Sequence, residues 1–142
     1  MTFYLDQLKP GMSESLSHTV SERDVELFGE ASGDRNPVHF DEAYARKTIF
    51  RGRIVHGALS IGFVSAVIGN KLPGAGTIFV SANVQFKSPV RIGETVVTTV
   101  TVREIKGREV VLDCVCKVGE REALTAEAQV LAPRRPAAAS ES

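Results

Sequence analysis

The sequence predicts an α+β domain in which a curved antiparallel sheet wraps one long, apolar helix. Three observations support this prediction. Residues 57–71 have the length of a helix and carry no charged side chain before the last position. The segments that follow are rich in Val and Thr and are separated by short turns, which is the pattern of strands. The helical segments precede these strands instead of alternating with them, and that order is typical of α+β folds.

The first part of the chain predicts one edge strand and two helices. Residues 12–20 alternate between apolar side chains and serines, as an edge strand does. Ser21 is placed to cap a helix with an acidic first turn, and Gly33 is placed to end it. A loop from Asp34 to His39 follows. Asp41 is then expected to cap a second short helix that runs through Thr48.

The second part predicts the central helix and the sheet. Residues 57–71 are apolar on nearly every side, which predicts burial all round. The strands are expected as one antiparallel meander over residues 78–86, 96–105, 110–118 and 122–131, with a hairpin turn at 106–108. The Pro-, Ala- and Ser-rich residues 133–142 predict a disordered tail, which leaves residues 1–132 as one domain.

Composition excludes several classes of function. The 142 residues include 17 Lys plus Arg and 17 Asp plus Glu, so the formal net charge is zero and no basic stripe is present. Trp is absent and aromatic residues are few, so neither a nucleic-acid surface nor a base-stacking platform is expected. The uncharged run of residues 54–70 is short for a membrane span and contains several Gly, which favours a buried helix.

The compartment is predicted from the N-terminus and from two cysteines. The N-terminus lacks a basic region followed by an apolar run, so no signal peptide is expected. Cys114 and Cys116 are two positions apart on a predicted strand and therefore point to the same face. Such spacing favours buried free thiols over a mutual disulfide, and a metal site needs more ligands. We therefore expect a reducing, cytoplasmic location.

One short segment carries the strongest chemical signal. Asp34 and His39 are five positions apart, and Asn36-Pro37 between them restricts the backbone. A carboxylate beside an imidazole is a common pair for moving protons to and from water. The alternative for each residue alone is structural, because Asp, Asn and Pro are ordinary turn residues. The pair together predicts a catalytic site, with Asn36 in support.

A second segment predicts an oxyanion donor. Gly57 opens the apolar helix, where backbone N–H groups lack acceptors, and it has no side chain to block a ligand. One such donor stabilises a transition state by roughly 3 kcal/mol. The alternative is that Gly57 only makes a tight entry to the helix. His56 is expected to support the site and not to carry protons. Ser65, eight residues after Gly57, either bonds a catalytic side chain or allows close packing.

The segments from Ala31 to His39, followed by Ala43 or Ala45, and from Ile54 to Gly57 resemble motifs of a known family. Leu72-Pro73-Gly74 and the segment from Phe86 to Val90 resemble it as well. The family is the (R)-specific enoyl-CoA hydratases, which are MaoC-like hydratases of the hot-dog fold. The resemblance runs from about residue 8 to residue 132.

The resemblance implies a single hot-dog fold whose curved sheet wraps the helix at residues 57–71. It also implies a homodimer with acyl-CoA bound near the subunit boundary. By position, Asp34 and His39 match the catalytic pair, Gly57 matches the oxyanion donor, and Ser65 matches a serine often found near that site. No metal or cofactor is expected, because CoA is part of the substrate. Nucleic acid and membrane are not expected partners.

The expected reaction is syn hydration of trans-2-enoyl-CoA to (R)-3-hydroxyacyl-CoA. Asp34 is expected to take the proton from water, and His39 is expected to supply a proton at Cα. Three alternatives remain open: an acyl-CoA thioesterase, a 3-hydroxyacyl-[acyl-carrier-protein] dehydratase, and a non-catalytic acyl-thioester binding module. Acyl chain length also remains open. The candidates for gripping the CoA phosphates, chosen by charge alone, are Lys71, Lys87 and Arg91.

Overall fold

The structure is a computed structural model, and it describes residues 2–136 of the chain. Its strands form one antiparallel five-stranded sheet in the order β1-β3-β4-β5-β2. The strands are β1 (Ser13–Thr19), β2 (Ile78–Phe86), β3 (Thr95–Lys106), β4 (Glu109–Val118) and β5 (Arg121–Leu131). The helices are α1 (Glu22–Ser32), α2 (Pro37–Phe40), α3 (Glu42–Arg46) and α4 (Gly57–Asn70), and a 3-10 turn, Leu5–Gln7, precedes β1.

The predicted start and end of α1 are confirmed. The Ser21 side chain accepts a hydrogen bond from the Asp24 N–H at 3.1 Å, and the Asp24 carboxylate accepts from the Ser21 N–H at 2.8 Å. This reciprocal capping box satisfies two N–H groups that the helix itself cannot pair. Gly33 ends the helix with φ 79°, a conformation that costs other residues more than glycine. The strand before α1 lies at an edge of the sheet, as expected.

The predicted loop between α1 and α3 was wrong in part. Residues Pro37–Phe40 form a single helical turn, and the Asn36 side chain caps it by accepting from the Val38 N–H at 3.2 Å. His39 therefore projects from a helical turn whose start is fixed by proline. Asp41 caps α3, as expected, but that helix ends at Arg46 and does not continue to Thr48.

The predicted meander was wrong for β2. This strand lies at the edge opposite β1 and pairs with β5, so only β3, β4 and β5 form a meander. Its register shifts between Phe79 and Ser81. Because a one-residue shift exchanges the two faces of a strand, the regular alternation expected from the sequence does not hold. Ile78, Val80 and Phe86 are 50%, 54% and 59% exposed.

The prediction that α4 is buried all round was wrong. Val64, Val67 and Ile68 are at most 2% exposed and belong to the main core. Gly62 and Ser65 are exposed, because the sheet of one chain covers only one face of the helix. The apolar character of the exposed face comes from small residues, which leave little area to bury.

The two cysteines are buried free thiols, as predicted. Cys114 is 4% and Cys116 0% exposed, and the Cys116 thiol faces the Ser60 carbonyl oxygen on α4 at 3.8 Å. Burial raises the pKa of Cys114 to about 12 and also raises the pKa of Cys116. Both side chains therefore act as small apolar packing residues between sheet and helix at neutral pH.

The end of the described chain packs against its beginning. Pro133 is buried, and its carbonyl oxygen accepts from the Leu5 N–H at 2.8 Å. Arg135 donates to the Asp6 carboxylate at 2.8 Å. The remainder of the predicted tail, residues 137–142, lies outside the described residues. Within residues 2–136 no helix has the length and apolar character to cross a membrane.

Candidate active site

Three titratable side chains meet where α1, α2 and α4 come together. Asp34 follows the glycine that ends α1, His39 lies on α2, and His56 immediately precedes α4. One polar atom from each of these side chains lies within 4.8 Å of the other two. Both imidazoles are buried, whereas the carboxylate is exposed. The structure therefore brings together the pair that the sequence singled out and adds His56 to it.

The tautomer of His39 is set by a backbone carbonyl. Its Nδ1 lies 2.8 Å from the carbonyl oxygen of Ile54. Because a carbonyl oxygen can only accept, Nδ1 carries the hydrogen and Nε2 carries the lone pair of the neutral ring. Burial lowers the pKa of His39 below its ordinary value of 6.5, and the hydrogen bond to Ile54 opposes that shift. His39 is therefore neutral at neutral pH, with Nε2 available to accept a proton.

His56 packs directly behind His39. The two ring centroids are 3.9 Å apart and the ring planes differ by 27°. The Nε2–H of His56 donates to the main-chain oxygen of Asp34 at 3.0 Å. The rings of Phe28 and Phe40 contact His56 with centroids at 4.7 and 5.5 Å. His56 thus ties the backbone of Asp34 to the start of α4, and at 1% exposure it is placed to support the site and not to exchange protons with solvent.

Asn36 is engaged in the turn itself. Its side chain caps α2, and its N–H donates to the Asp34 carboxylate at 3.1 Å. The N–H of Asp34 in turn donates to the Ser32 hydroxyl at 3.1 Å. These local bonds fix the distance between the carboxylate and the imidazole before any ligand arrives. Asn36 therefore shapes the pair and is not directed at a ligand.

A cavity of about 480 Å³ opens beside the start of α4. Its walls come from the segment before α4, from the start of that helix, and from the chain that leaves β2; they include Phe50, Ile54, His56, Gly57, Phe86 and Val90. The Gly57 N–H belongs to the first residue of α4 and has no acceptor within the helix. A Cβ added at Gly57 would lie 2.8 Å from the Phe86 ring. A side chain at this position would therefore displace the Phe86 ring and would also narrow a ligand's access to the Gly57 N–H.

Ser65 is not brought to this group. It is exposed and lies two turns beyond Gly57 on α4, about 12 Å along the helix axis. Among the described residues, its hydroxyl bonds no side chain of the Asp34 group.

Sequence reasoning missed the Ile54 carbonyl and gave no role to Phe86. A backbone carbonyl leaves no signal in the sequence, whereas Phe86 belongs to a motif that could have drawn attention.

The three side chains are of types that also bind metal ions. Their geometry suits a water molecule better. The His39 and His56 rings are stacked, so their lone pairs lie in two separate, nearly parallel planes, which disfavours a common point about 2.0 Å from each nitrogen. One nitrogen of each ring is also engaged by a carbonyl. Asp34 and His39 instead present two acceptors, a carboxylate oxygen and the Nε2 lone pair, to which the two O–H groups of a single water can donate.

Comparison with known proteins identifies similar sequences and folds. Residues 7–122 match a family model described as the MaoC like domain. An (R)-specific enoyl-CoA hydratase of Rhodospirillum rubrum is 46% identical over 93% of both chains. A 3-hydroxybutyryl-CoA dehydratase of Methylorubrum extorquens is 41% identical over 93% of this chain and 85% of that protein. The unliganded R-hydratase PhaJ1 of Pseudomonas aeruginosa superposes with a TM-score of 0.89, with 34% identity, over 94% of this chain and 88% of that chain.

Proposed function

The chain belongs to the MaoC-like domain family, and we propose that it catalyses the reversible hydration of trans-2-enoyl-CoA to (R)-3-hydroxyacyl-CoA. The observation that carries this proposal is the convergence of Asp34 and His39 beside the start of α4, with the Nε2 lone pair of His39 free. The buried free thiols of Cys114 and Cys116 support a reducing, cytoplasmic location.

The first role belongs to Gly57. The thioester carbonyl oxygen accepts from the Gly57 N–H, which withdraws electrons from the conjugated double bond and makes Cβ electrophilic. The positive end of α4 stabilises the enolate that forms when water adds. A donor in this position contributes roughly 3 kcal/mol to transition-state stabilisation.

The second role belongs to His39 and Asp34. Nε2 of His39 takes a proton from the bound water while the water oxygen bonds to Cβ, and the imidazolium then returns that proton to Cα. One water thus supplies both the OH and the H, and both arrive from the same face, so addition is syn. The Asp34 carboxylate holds the water and stabilises the imidazolium, since its charge raises the pKa of His39. The sequence alone suggested Asp34 as the base for water; in this mechanism His39 takes that role and keeps its expected role as proton donor at Cα.

Every proton step in this mechanism uses the chain's own residues, so the proposed reaction requires no metal or redox cofactor. In the proposed binding mode the carbonyl lies at the start of α4, and the water held by Asp34 and His39 attacks Cβ of the double bond. A thioesterase would instead direct water at the carbonyl carbon itself. An acyl-carrier-protein thioester would present the same reacting atoms. The preference for CoA or for a carrier protein therefore depends on residues other than Asp34, His39 and Gly57.

The reaction is tested with crotonyl-CoA. We expect the enoyl absorbance to fall without release of free thiol, and the product to be (R)-3-hydroxybutyryl-CoA. Asp34→Asn and His39→Gln should each lower kcat roughly a hundredfold or more, because each removes one member of the proton-transfer pair. His18→Gln is the matched control, since that imidazole lies on the edge strand β1 and pairs with Asp24 of α1. Thiol release, or near-normal turnover in either site variant, contradicts the proposal.

The role of Gly57 is tested by a pair of substitutions. Gly57→Ala keeps the N–H but places a methyl group 2.8 Å from the Phe86 ring, which must then shift into the cavity or move the helix start. We expect kcat/KM for crotonyl-CoA to fall roughly tenfold, because small misplacements of binding groups are costly. Phe86→Ala in the same chain should restore part of that loss. If the double variant is no more active than Gly57→Ala, steric contact with Phe86 is not the cause.

We further infer that two copies of the chain associate through β2. This strand lies at a sheet edge with one side of its backbone unpaired, and Ile78, Val80 and Phe86 are each at least half exposed. An exposed apolar edge strand is a template for pairing with another strand. Pairing with a second copy would also bring cover to the exposed face of α4 and place Phe86, a cavity wall, at the subunit boundary.

Association is tested by light scattering after gel filtration. We expect the unmodified chain to elute as a dimer at micromolar concentration, and Val80→Glu to shift it toward a monomer by placing charges along the shared edge. Val97→Glu is the matched control, because Val97 is similarly exposed, at 41%, but lies on the interior strand β3. A monomeric parent protein, or a Val80→Glu variant that remains fully dimeric, argues against the β2 interface.

A further inference from the structure

The wall of the cavity carries arginines on its other side. Phe50 and Ile54 line the cavity, whereas the residues between them line a second concave surface of about 490 Å³. Likewise, Val90 lines the cavity and Arg91 lines the second surface. We call this second surface the arginine groove, and it is lined by Glu22, Glu42, Arg51, Gly52, Arg53, Arg91 and Ile92. The groove and the cavity therefore share one thin wall.

The acidic residues of the arginine groove already have partners. Glu22 receives two hydrogen bonds from the Arg53 guanidinium, at 2.8 and 3.0 Å. Glu42 accepts from the side chain of Arg46 at 3.4 Å and from the main-chain N–H of Arg53 at 3.2 Å. Both carboxylates are therefore already engaged by an arginine side chain. The charge balance of the groove is therefore set by its other two arginines.

Those two arginines, Arg51 and Arg91, lack a carboxylate partner among residues 2–136. The Arg91 guanidinium donates to the carbonyl oxygens of Phe50 and Arg53, which carry no net charge. The acid that follows Arg91 closely in the chain, Glu94, forms its ion pair with Arg121. Arg51 is exposed. The lining thus carries three arginines against two glutamates, a net charge of +1, and Arg51 and Arg91 form no ion pair of their own with the described residues.

The backbone at Arg51 supplies a second observation. Arg51 is the non-glycine residue of the described chain with positive φ, at 58°. The left-handed conformation is costly for a long side chain, and residues held in it cluster at ligand-binding sites. A glycine at this position would relieve the strain, and Gly52 is its neighbour. The chain instead keeps, at the strained position, a guanidinium with no ion pair among the described residues, at the rim of the cavity wall.

We propose that the arginine groove binds the phosphate of the thioester carrier. This inference rests on the proposed function and names the subsite that holds the far end of the substrate. The acyl group and the uncharged pantetheine arm suit the cavity, whereas a phosphate needs a cationic surface outside it. Guanidinium groups bind phosphate oxygens through paired N–H donors. The phosphate ester is common to CoA and to a carrier-protein phosphopantetheine arm.

The placement of the charges revises the candidates chosen from the sequence. Arg91 lies in the arginine groove, as part of its floor. The Lys71 ammonium donates to the Ser15 carbonyl oxygen at 2.8 Å, at the far end of α4 from the cavity. Lys87 lines the cavity itself and faces Glu122 at 3.5 Å. Arg51, which was not among the candidates chosen from the sequence, becomes the principal phosphate ligand.

The test compares substrates with and without phosphate in Arg51→Gln. We expect KM for crotonyl-CoA to rise about five- to tenfold with kcat unchanged, because one charge-assisted contact is lost. KM for crotonyl-pantetheine, which has no phosphate, should not change. The difference between the two substrates should shrink at high ionic strength. Lys106→Gln removes the same charge from the β3–β4 hairpin and should leave every KM unchanged.

Two further substrates identify the source of the phosphate. Crotonyl-phosphopantetheine carries one phosphate, and a crotonyl carrier protein presents the same phosphate on a protein. The carrier whose KM rises more in Arg51→Gln, CoA or the carrier protein, is the one whose phosphate the groove binds. Equal KM changes with crotonyl-CoA and crotonyl-pantetheine, or no change with any phosphorylated substrate, overturn the inference. If the unmodified protein hydrates none of these thioesters, the proposed function fails instead, so the two failures are distinct.

Discussion

The hydrogen bond from Nδ1 of His39 to the Ile54 carbonyl is the constraint on which the candidate site depends. It decides which nitrogen of a buried imidazole faces the ligand. Two further bonds hold the same two segments together, and an ion pair ties them to α1. The Ile54 N–H donates to the Val38 oxygen at 3.2 Å, and the Arg53 side chain donates to the His39 oxygen at 2.7 Å while it pairs with Glu22 on α1. These bonds link α1, α2 and the segment before α4 into one frame.

The frame explains why a buried histidine is chemically useful here. Burial keeps the His39 ring neutral, and the carbonyl leaves its basic nitrogen unprotonated. The nearby Asp34 carboxylate stabilises the charged ring once a proton arrives, whereas His56 and Arg53 disfavour it. A base that holds a proton briefly and then returns it suits a reaction that runs in both directions. The same helix start that anchors His56 presents the Gly57 N–H, so proton transfer and carbonyl polarisation share one support.

The elements with local signals were predictable from the sequence. Ser21 and Gly33 mark the ends of α1 because capping depends on only a few neighbouring residues. Asp34 and His39 were predictable as a pair because a short turn holds residues five positions apart close together. The position of β2 and the exposed face of α4 were not predictable, because both depend on long-range packing: which strand pairs with β5 and which face of the helix the sheet covers. The tautomer of His39 depends on the backbone carbonyl of a residue fifteen positions away, and the identity of that residue's side chain does not indicate the contact.

Nitrogen-15 NMR of the His39 ring, assigned by the loss of its signals in His39→Gln, measures the tautomer on which the site depends. Long-range proton–nitrogen correlations distinguish the two neutral tautomers and the imidazolium. We expect a neutral ring at neutral pH with the hydrogen on Nδ1, and a titration midpoint below the ordinary histidine value of 6.5. A ring that carries its hydrogen on Nε2, or one that is still protonated at neutral pH, would contradict this expectation.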